Sequence, residues 1–402
     1  MKTVIIIGAG ASGMMAAITA AKNRENKVIL LERQQRAGKK LLSTGNGRCN
    51  LTNTGASPEN YHGAEPEFVS FALSEYPPES VRQTFRELGL LTVEEPGGRV
   101  YPLSDSANSV LDVLRFACSA AGVQTETSRE VTGIVRNKRG FRIETAEESM
   151  FADKVIVACG GMAGAKVGGT SLGYGLLSSL GHSRTSLHPA LVQLTVRDDR
   201  TKALKGVRAD GRIKIYSKRE LLAESRGEIQ FTEKGISGPA TFEISRAVSV
   251  SGEALRAELD LLADYKPEEI LELLKCKREA APYLAAENFL TGILHNRLGK
   301  VIIKYCDIDG EEPAYGLSDG KLKDLVAACK GFALDIKGTE GYDSAQVTAG
   351  GIKTSEFDPR TMESRLCPGL FACGEVLDID GDCGGFNLQW AWASGMLAGR
   401  SV

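Results

Sequence analysis

The first 32 residues constrain the chain more than any other stretch. Val4-Ile5-Ile6-Ile7 is an unbroken β-branched run, the pattern of a strand buried on both faces. Gly8-Ala9-Gly10-Ala11-Ser12-Gly13 follows at once, and the strong helix formers of SGMMAAITAAK take over from Ser12. Lys27 to Glu32 (KVILLE) is a second buried run. One βαβ unit accounts for all of this, with parallel strands because a helix crosses between them. The G-x-G-x-x-G spacing has a physical reading in that context. Gly8 permits the turn, Gly10 lets backbone approach a pyrophosphate, and Gly13 lets helix and strand close together. Ala11 and Ser12 open a helix whose unpaired N–H groups and positive end suit a phosphate. Glu32 ends the second strand, where an acidic residue accepts hydrogen bonds from ribose hydroxyls.

A competing reading exists for the same stretch. Thr3 to Ala21 carries no charge and follows Lys2, as in a signal peptide or a short membrane span. The three spaced glycines at its centre favour the turn, and no later segment reaches the ~18 apolar residues of a span. The 402 residues suggest two or three domains. Lys+Arg is 49 against 51 Asp+Glu, a balance that argues against a protein held to nucleic acid by phosphate contacts. The 45 glycines cluster in short motifs, so many positions turn tightly or approach a ligand. Nine cysteines with no CxxC pair point to a reducing, cytoplasmic setting. Four histidines without an HExxH motif argue against a metal site.

Further along, Glu67 to Leu88 and Ser109 to Ala121 read as helices, and Val131 to Val135 and Phe141 to Thr145 as short strands. Lys154 to Ala158 is another buried strand, ending in Cys159-Gly160-Gly161. The texture changes near His188-Pro189. Strand-like pieces at Leu191 to Val196, Arg212 to Tyr216 and Glu228 to Phe231 precede helices at Pro267 to Leu274 and Ala280 to Leu294. Ser237-Gly238-Pro239 reads as a helix start with Ser237 as its cap. A buried strand returns at Leu370 to Cys373, so residues from about 190 to 345 read as an insertion.

Three features favour FAD over NAD as the ligand. Glu32-Arg33 is followed by the basic stretch Arg36-Ala37-Gly38-Lys39-Lys40. The strand ending at Gly161 is similar to the second FAD-contacting strand of flavoproteins with two dinucleotide folds. Leu370-Phe371-Ala372-Cys373-Gly374-Glu375 resembles their C-terminal Gly-Asp motif, whose carboxylate holds the ribityl chain; here the acid is one methylene longer. Gly384-Gly385 then opens a helix through Trp392, whose positive end would favour negative charge on a reduced flavin. Trp390 and Trp392 read as packing residues.

The strings GAGASG, Thr44-Gly45-Asn46-Gly47-Arg48-Cys49-Asn50-Leu51-Thr52-Asn53, FTEKGISGPA (231–240) and GGFNLQWAWASG (384–395) together resemble the BaiN-like NAD(P)/FAD-dependent oxidoreductases. That group includes aminoacetone-oxidase-like enzymes and bile-acid dienone reductases. The resemblance implies an α/β fold: a Rossmann-type FAD-binding domain (1–189 and 346–402), an inserted β-rich domain (190–265 and 325–345) and a small helical domain (266–324). It also implies that Gly8, Gly10, Gly13, Glu32 and Arg33 hold the ADP half. Lys40, Leu41, Gly45, Asn46 and Cys49 would lie near pyrophosphate and flavin, and Val131 would meet adenine through its backbone. Gly160, Gly161, Gly374, Glu375, Gly385, Asn387 and Leu388 would complete the flavin site. The Gly161–Gly175 stretch is similar to fumarate-reductase-like flavoproteins, but Tyr174 stands where those carry an acid, so their chemistry is not transferred.

A flavin supplies hydride transfer itself; the protein holds the substrate, excludes water and delivers protons. Cys373 and Cys383 lack disulfide-reductase spacing. Arg48 is a candidate to bind an anion or carbonyl through its fork, or to favour a thiolate at Cys49. No second G-x-G-x-x-G follows a later strand, so NAD(P)H would dock transiently as donor, or oxygen or a partner would re-oxidise the flavin. The reading is reduction of an activated C=C in a small molecule such as an oxo-steroid or bile-acid dienone. The alternatives are oxygen-dependent amine oxidation, an RNA-modifying or RNA-binding flavoprotein, and a redox sensor without turnover. Oligomeric state is left open.

Overall fold

A computed structural model describes residues 1–402. Five parallel strands form the first sheet, in the spatial order Leu370–Ala372, Lys154–Val157, Lys2–Ile7, Asn26–Leu31, Gln124–Glu126. Lys2–Ile7 sits at its centre, and Val4, Ile5 and Ile6 are fully buried. The uncharged opening segment is therefore a sheet strand and a ten-residue helix, Ala11–Ala20, and no helix in the chain is long and apolar enough to cross a membrane. The fold class expected from the sequence, a Rossmann-type α/β sheet with a β-rich insertion and helices, is what the chain adopts.

The chain divides into two compact units, Met1–Pro189 with Ala345–Val402, and Ala190–Ser344. In the first, the C-terminal helix Phe386–Ser401 lies against Ala11–Ala20. Gly395 and Gly399 make this contact: a Cβ would come 2.5 Å from the Ser12 carbonyl oxygen at one and 2.4 Å from that of Ala16 at the other. Four residues apart, they share one helix face and let two backbones touch. Trp390 and Trp392 are buried beside Phe68 and Phe85 in edge-to-face contacts. Each indole N–H is satisfied, by the carbonyl of Gly374 (3.2 Å) and of Leu51 (2.8 Å).

The second unit contains a closed six-stranded barrel. Arg208–Ser217 alternates along its length, with Gly211, Ile213, Ile215 and Ser217 buried, and pairs with Glu220–Phe231 in a long hairpin. Helices Pro239–Ser251, Pro267–Ala280, Asn296–Tyr305 and Asp319–Lys330 accompany it. Ile270, Leu274, Leu298, Ile302 and Leu325 share one apolar cluster with barrel residues Ile213 and Phe231.

Several sequence expectations need correction. The helix over Glu67 to Leu88 is two, Val69–Glu75 and Pro78–Glu87, because Pro77 and Pro78 interrupt it. Ala280 to Leu294 is not one helix and holds only the short 3-10 turn Ala286–Asn288. Pro282 and Gly292 (φ +88°) break it into turns, and the helix begins at Asn296. The cap of Pro239–Ser251 is Gly238 (φ +99°), while Ser237 ends the preceding strand.

Candidate functional site

The glycine turn shows why each glycine is needed. A Cβ on Gly13 would fall 1.9 Å from the Gly8 carbonyl oxygen, and one on Gly8 (φ +106°) 2.5 Å from that of Ala158. Gly10 is different, since no protein atom lies within 4 Å of where its Cβ would be. The helix that starts there has no side-chain cap, and its first intrahelical bond runs from Met14 N–H to the Gly10 carbonyl. The N–H groups of Ala11, Ser12 and Gly13 precede that bond, as an anion at this end requires. Glu32 accepts from Ala9 N–H (3.0 Å) and Gln34 N–H (2.7 Å), so it braces the turn and keeps further lone pairs for a diol. Arg33 instead donates to the carbonyls of Gly168 (3.0 Å) and Gly169 (3.3 Å), which ties down the glycine-rich stretch after Gly161. Val131 is buried in a hairpin next to the Glu32 strand end, where Arg129 N–H bonds the Glu32 carbonyl.

A second carboxylate belongs to a separate cluster. Lys40 and Glu375, 335 residues apart in the chain, form an ion pair of 2.7 Å, both partly exposed. The other Glu375 oxygen accepts from Thr348 N–H at 2.9 Å. The buried Thr348 hydroxyl accepts from Ala163 N–H at 3.0 Å. Gly161 passes directly over this cluster: its Cβ would come 2.5 Å from Thr348 Oγ1 and 2.6 Å from Glu375 Oε1. Gly160 (φ +69°) is open on its Cβ side. Gly374 (φ +76°) has both backbone groups fixed from the C-terminal helix, by the Ser394 hydroxyl (3.0 Å) and the Trp390 indole. Leu41 is buried beneath the Lys40 turn.

The 44–50 loop is the strained part of the site. Gly45, Asn46, Gly47 and Cys49 all have φ between +55° and +85°. Left-handed backbone at two non-glycine residues costs on the order of 1–3 kcal/mol each and persists only where neighbours impose it. Those neighbours are visible. Cys49 N–H bonds the Thr44 carbonyl (3.0 Å), and Leu51 is held by Val100 (2.7 Å) and by Trp392. The Arg48 guanidinium is held by Glu95 (2.5 Å) and Asp105, and lies over the Tyr101 ring at 4.1 Å. Arg48 already has two carboxylate partners. Cys49 is fully buried, and burial pushes its thiol up to about 12, with only a Thr44 hydrogen bond opposing. Burial, rather than the neighbouring Arg48 charge, dominates at this thiol.

The glycine gaps, the two carboxylates and the two helix starts suit a dinucleotide carrying a pyrophosphate and ribose hydroxyls. The comparisons agree. The model of the HI0933-like protein Rossmann domain matches residues 2–401. The chain belongs to this HI0933-like family. It is 40% identical to a 3-dehydro-bile acid delta(4,6)-reductase of Clostridium scindens, covering 100% of this chain and 99% of that protein. It is 30% identical to a ribosomal RNA dihydrouridine synthase of Escherichia coli, covering 99% and 97%. Among solved structures, the open conformation of a flavocytochrome c3 fumarate reductase superposes with a TM-score of 0.50 at 16% identity, over 100% of this chain and 78% of that one. That last likeness concerns the fold. The BaiN-like resemblance read from the motifs thus extends over the full length.

In this HI0933-like chain, Asn387 closes its amide on Gly381, donating to the Gly381 carbonyl (2.7 Å) and accepting from Gly381 N–H (2.8 Å). Leu388 is half-buried in the next turn. Gly385 (φ +106°) abuts Thr52, whose carbonyl oxygen would be 2.5 Å from a Cβ. Sequence reasoning missed Thr348, Ser394 and Asn53, the last donating to the Gly97 and Gly384 carbonyls at 3.1 and 3.0 Å. Isolated Thr, Ser and Asn residues carry no local pattern. Asn53 alone had a signal, as part of the TGNGRCNLTN string.

Proposed function

We propose that this chain is an FAD-dependent oxidoreductase that reduces a carbon–carbon double bond conjugated to a carbonyl in a small steroid-type substrate, with NAD(P)H as transient electron donor. FAD would supply hydride transfer at its central ring. Ala11 to Gly13 would hold the pyrophosphate on their N–H groups, Glu32 a ribose, and the Lys40–Glu375 pair the chain that leads to the flavin. The start of the Phe386–Ser401 helix would stabilise negative charge on the reduced ring. Cys49, protonated at neutral pH, is a packing residue in this scheme. The nine cysteines, all free, favour a reducing, cytoplasmic setting.

The observation that carries the substrate is the 40% identity, end to end, with the bile-acid reductase. The test is anaerobic. NAD(P)H should bleach the bound flavin, and a 3-oxo-4,6-diene steroid should restore its absorbance with loss of the dienone. Re-oxidation by oxygen alone would remove the proposal. A second reading has its own support: 30% identity over nearly the whole chain to ribosomal RNA dihydrouridine synthases from two bacteria. Both names fit hydrogen added across a C=C conjugated with a carbonyl, so this reading keeps the chemistry and changes the substrate. Dihydrouridine appearing in ribosomal RNA incubated with the enzyme and NAD(P)H, without dienone turnover, would select that reading.

A further inference from the structure

The Asn50 side-chain carbonyl oxygen is buried and has no hydrogen-bond partner in the protein. A buried amide left this way costs free energy, and the large majority of such atoms in native proteins have partners. Its location is specific. A Cβ on Gly385 would come 2.8 Å from this oxygen, which puts the amide against the backbone that opens the Phe386–Ser401 helix. The first bond inside that helix runs from Gln389 N–H to the Gly385 carbonyl at 3.0 Å. Phe386, Asn387 and Leu388 therefore present N–H groups with no acceptor within the helix. Asn387, the obvious amide for a ligand, is closed on Gly381. One free acceptor thus lies beside a row of donors. The pyrimidine edge of an isoalloxazine presents the complement, an imide N–H between two carbonyls.

We propose that Asn50 recognises this edge, its side-chain carbonyl accepting the imide N–H while the helix start donates to a neighbouring ring carbonyl. The 44–50 loop then has a reason for its strain, since its geometry delivers Asn50 to Gly385: a Cβ on Gly45 would sit 2.7 Å from Asn50 N.

This inference rests on the FAD reading, and one titration separates the two. Apoprotein would be titrated with FAD and with N3-methyl-FAD, which lacks the imide N–H, following flavin fluorescence. The wild type should bind the methylated analogue about tenfold more weakly or worse, the scale of one buried hydrogen bond left unmade. Asn50→Ala should lose about tenfold in FAD affinity and discriminate little between the two. Asn50→Asp, which keeps an acceptor, should retain the discrimination. Equal binding of both flavins by the wild type, or undiminished discrimination in Asn50→Ala, would overturn the role of Asn50 and leave FAD binding standing. The wild-type comparison decides by itself if a variant does not fold. A wild type that takes up neither flavin would overturn the cofactor reading itself.

Discussion

Gly10 and Gly13 lie three residues apart in one turn and are expected to fail in different ways. Gly10→Ala puts a methyl into space that no protein atom occupies, at an ordinary negative φ of −84°. Its Tm should stay within a few degrees of wild type, while FAD affinity falls by about tenfold or more through contact with the phosphates. Gly13→Ala drives a methyl into the Gly8 carbonyl and should lower both Tm and FAD affinity. Thermal melts with and without FAD separate these outcomes, and equal behaviour would contradict the assigned roles. Cys49 supplies a second contrast. Its thiol is buried and held protonated, so it should react with a maleimide only on unfolding, and Cys49→Ala should keep turnover within a few-fold. A fast native reaction would restore the thiolate.

Between neighbouring segments, the helix pair joined at Gly395 and Gly399 tolerates no side chain. Gly399→Val should destabilise by about 1–3 kcal/mol or more, measured by chemical denaturation. Another connection is buried and titratable. His182 Nδ1 pairs with Glu356 (2.8 Å), its Nε2 with the Ser364 hydroxyl (2.9 Å), and its ring stacks on Phe357. Burial lowers the His182 pKa, and Glu356 offsets this only in part. The folded chain therefore resists the proton that the unfolded chain accepts near pH 6.5, and stability is lost as pH falls from about 7 towards 5. His182→Asn should flatten the Tm profile over that window; an unchanged profile would assign the pH dependence elsewhere. These elements also show what a reader of the sequence can recover. Val4–Ile7, Val28–Leu31 and Val155–Val157 were legible because parallel strands buried on both faces leave unbroken apolar runs. Asn296–Tyr305 and Asp319–Lys330 were not, since their amphipathic stripes lie among turns with the same polar composition. In the site, the glycine turn and the Gly-Glu pair were readable as local strings. The Lys40–Glu375–Thr348 cluster was not, because what joins those residues is tertiary geometry.

Across the molecule, the apolar residues form two clusters, one in each compact unit, and every proposed flavin contact lies in the unit made of Met1–Pro189 and Ala345–Val402. A ligand stabilises only what it binds, by RT ln(1 + [L]/Kd). Calorimetry should therefore resolve two transitions, and at 100 times Kd FAD should stabilise one of them by about 2.7 kcal/mol while leaving the other in place. A single transition that moves as a whole would show that the two cores melt together.

The Lys40–Glu375 ion pair also sets a timetable. Translation at about 5–20 residues per second separates the emergence of Lys40 from that of Glu375 by tens of seconds. Through that interval the nascent polypeptide carries its glycine turn without the central sheet's last strand, Leu370–Ala372, or the closing helix. On the proposed cofactor reading, the nucleotide site is therefore complete only late in synthesis, after Glu375 has emerged.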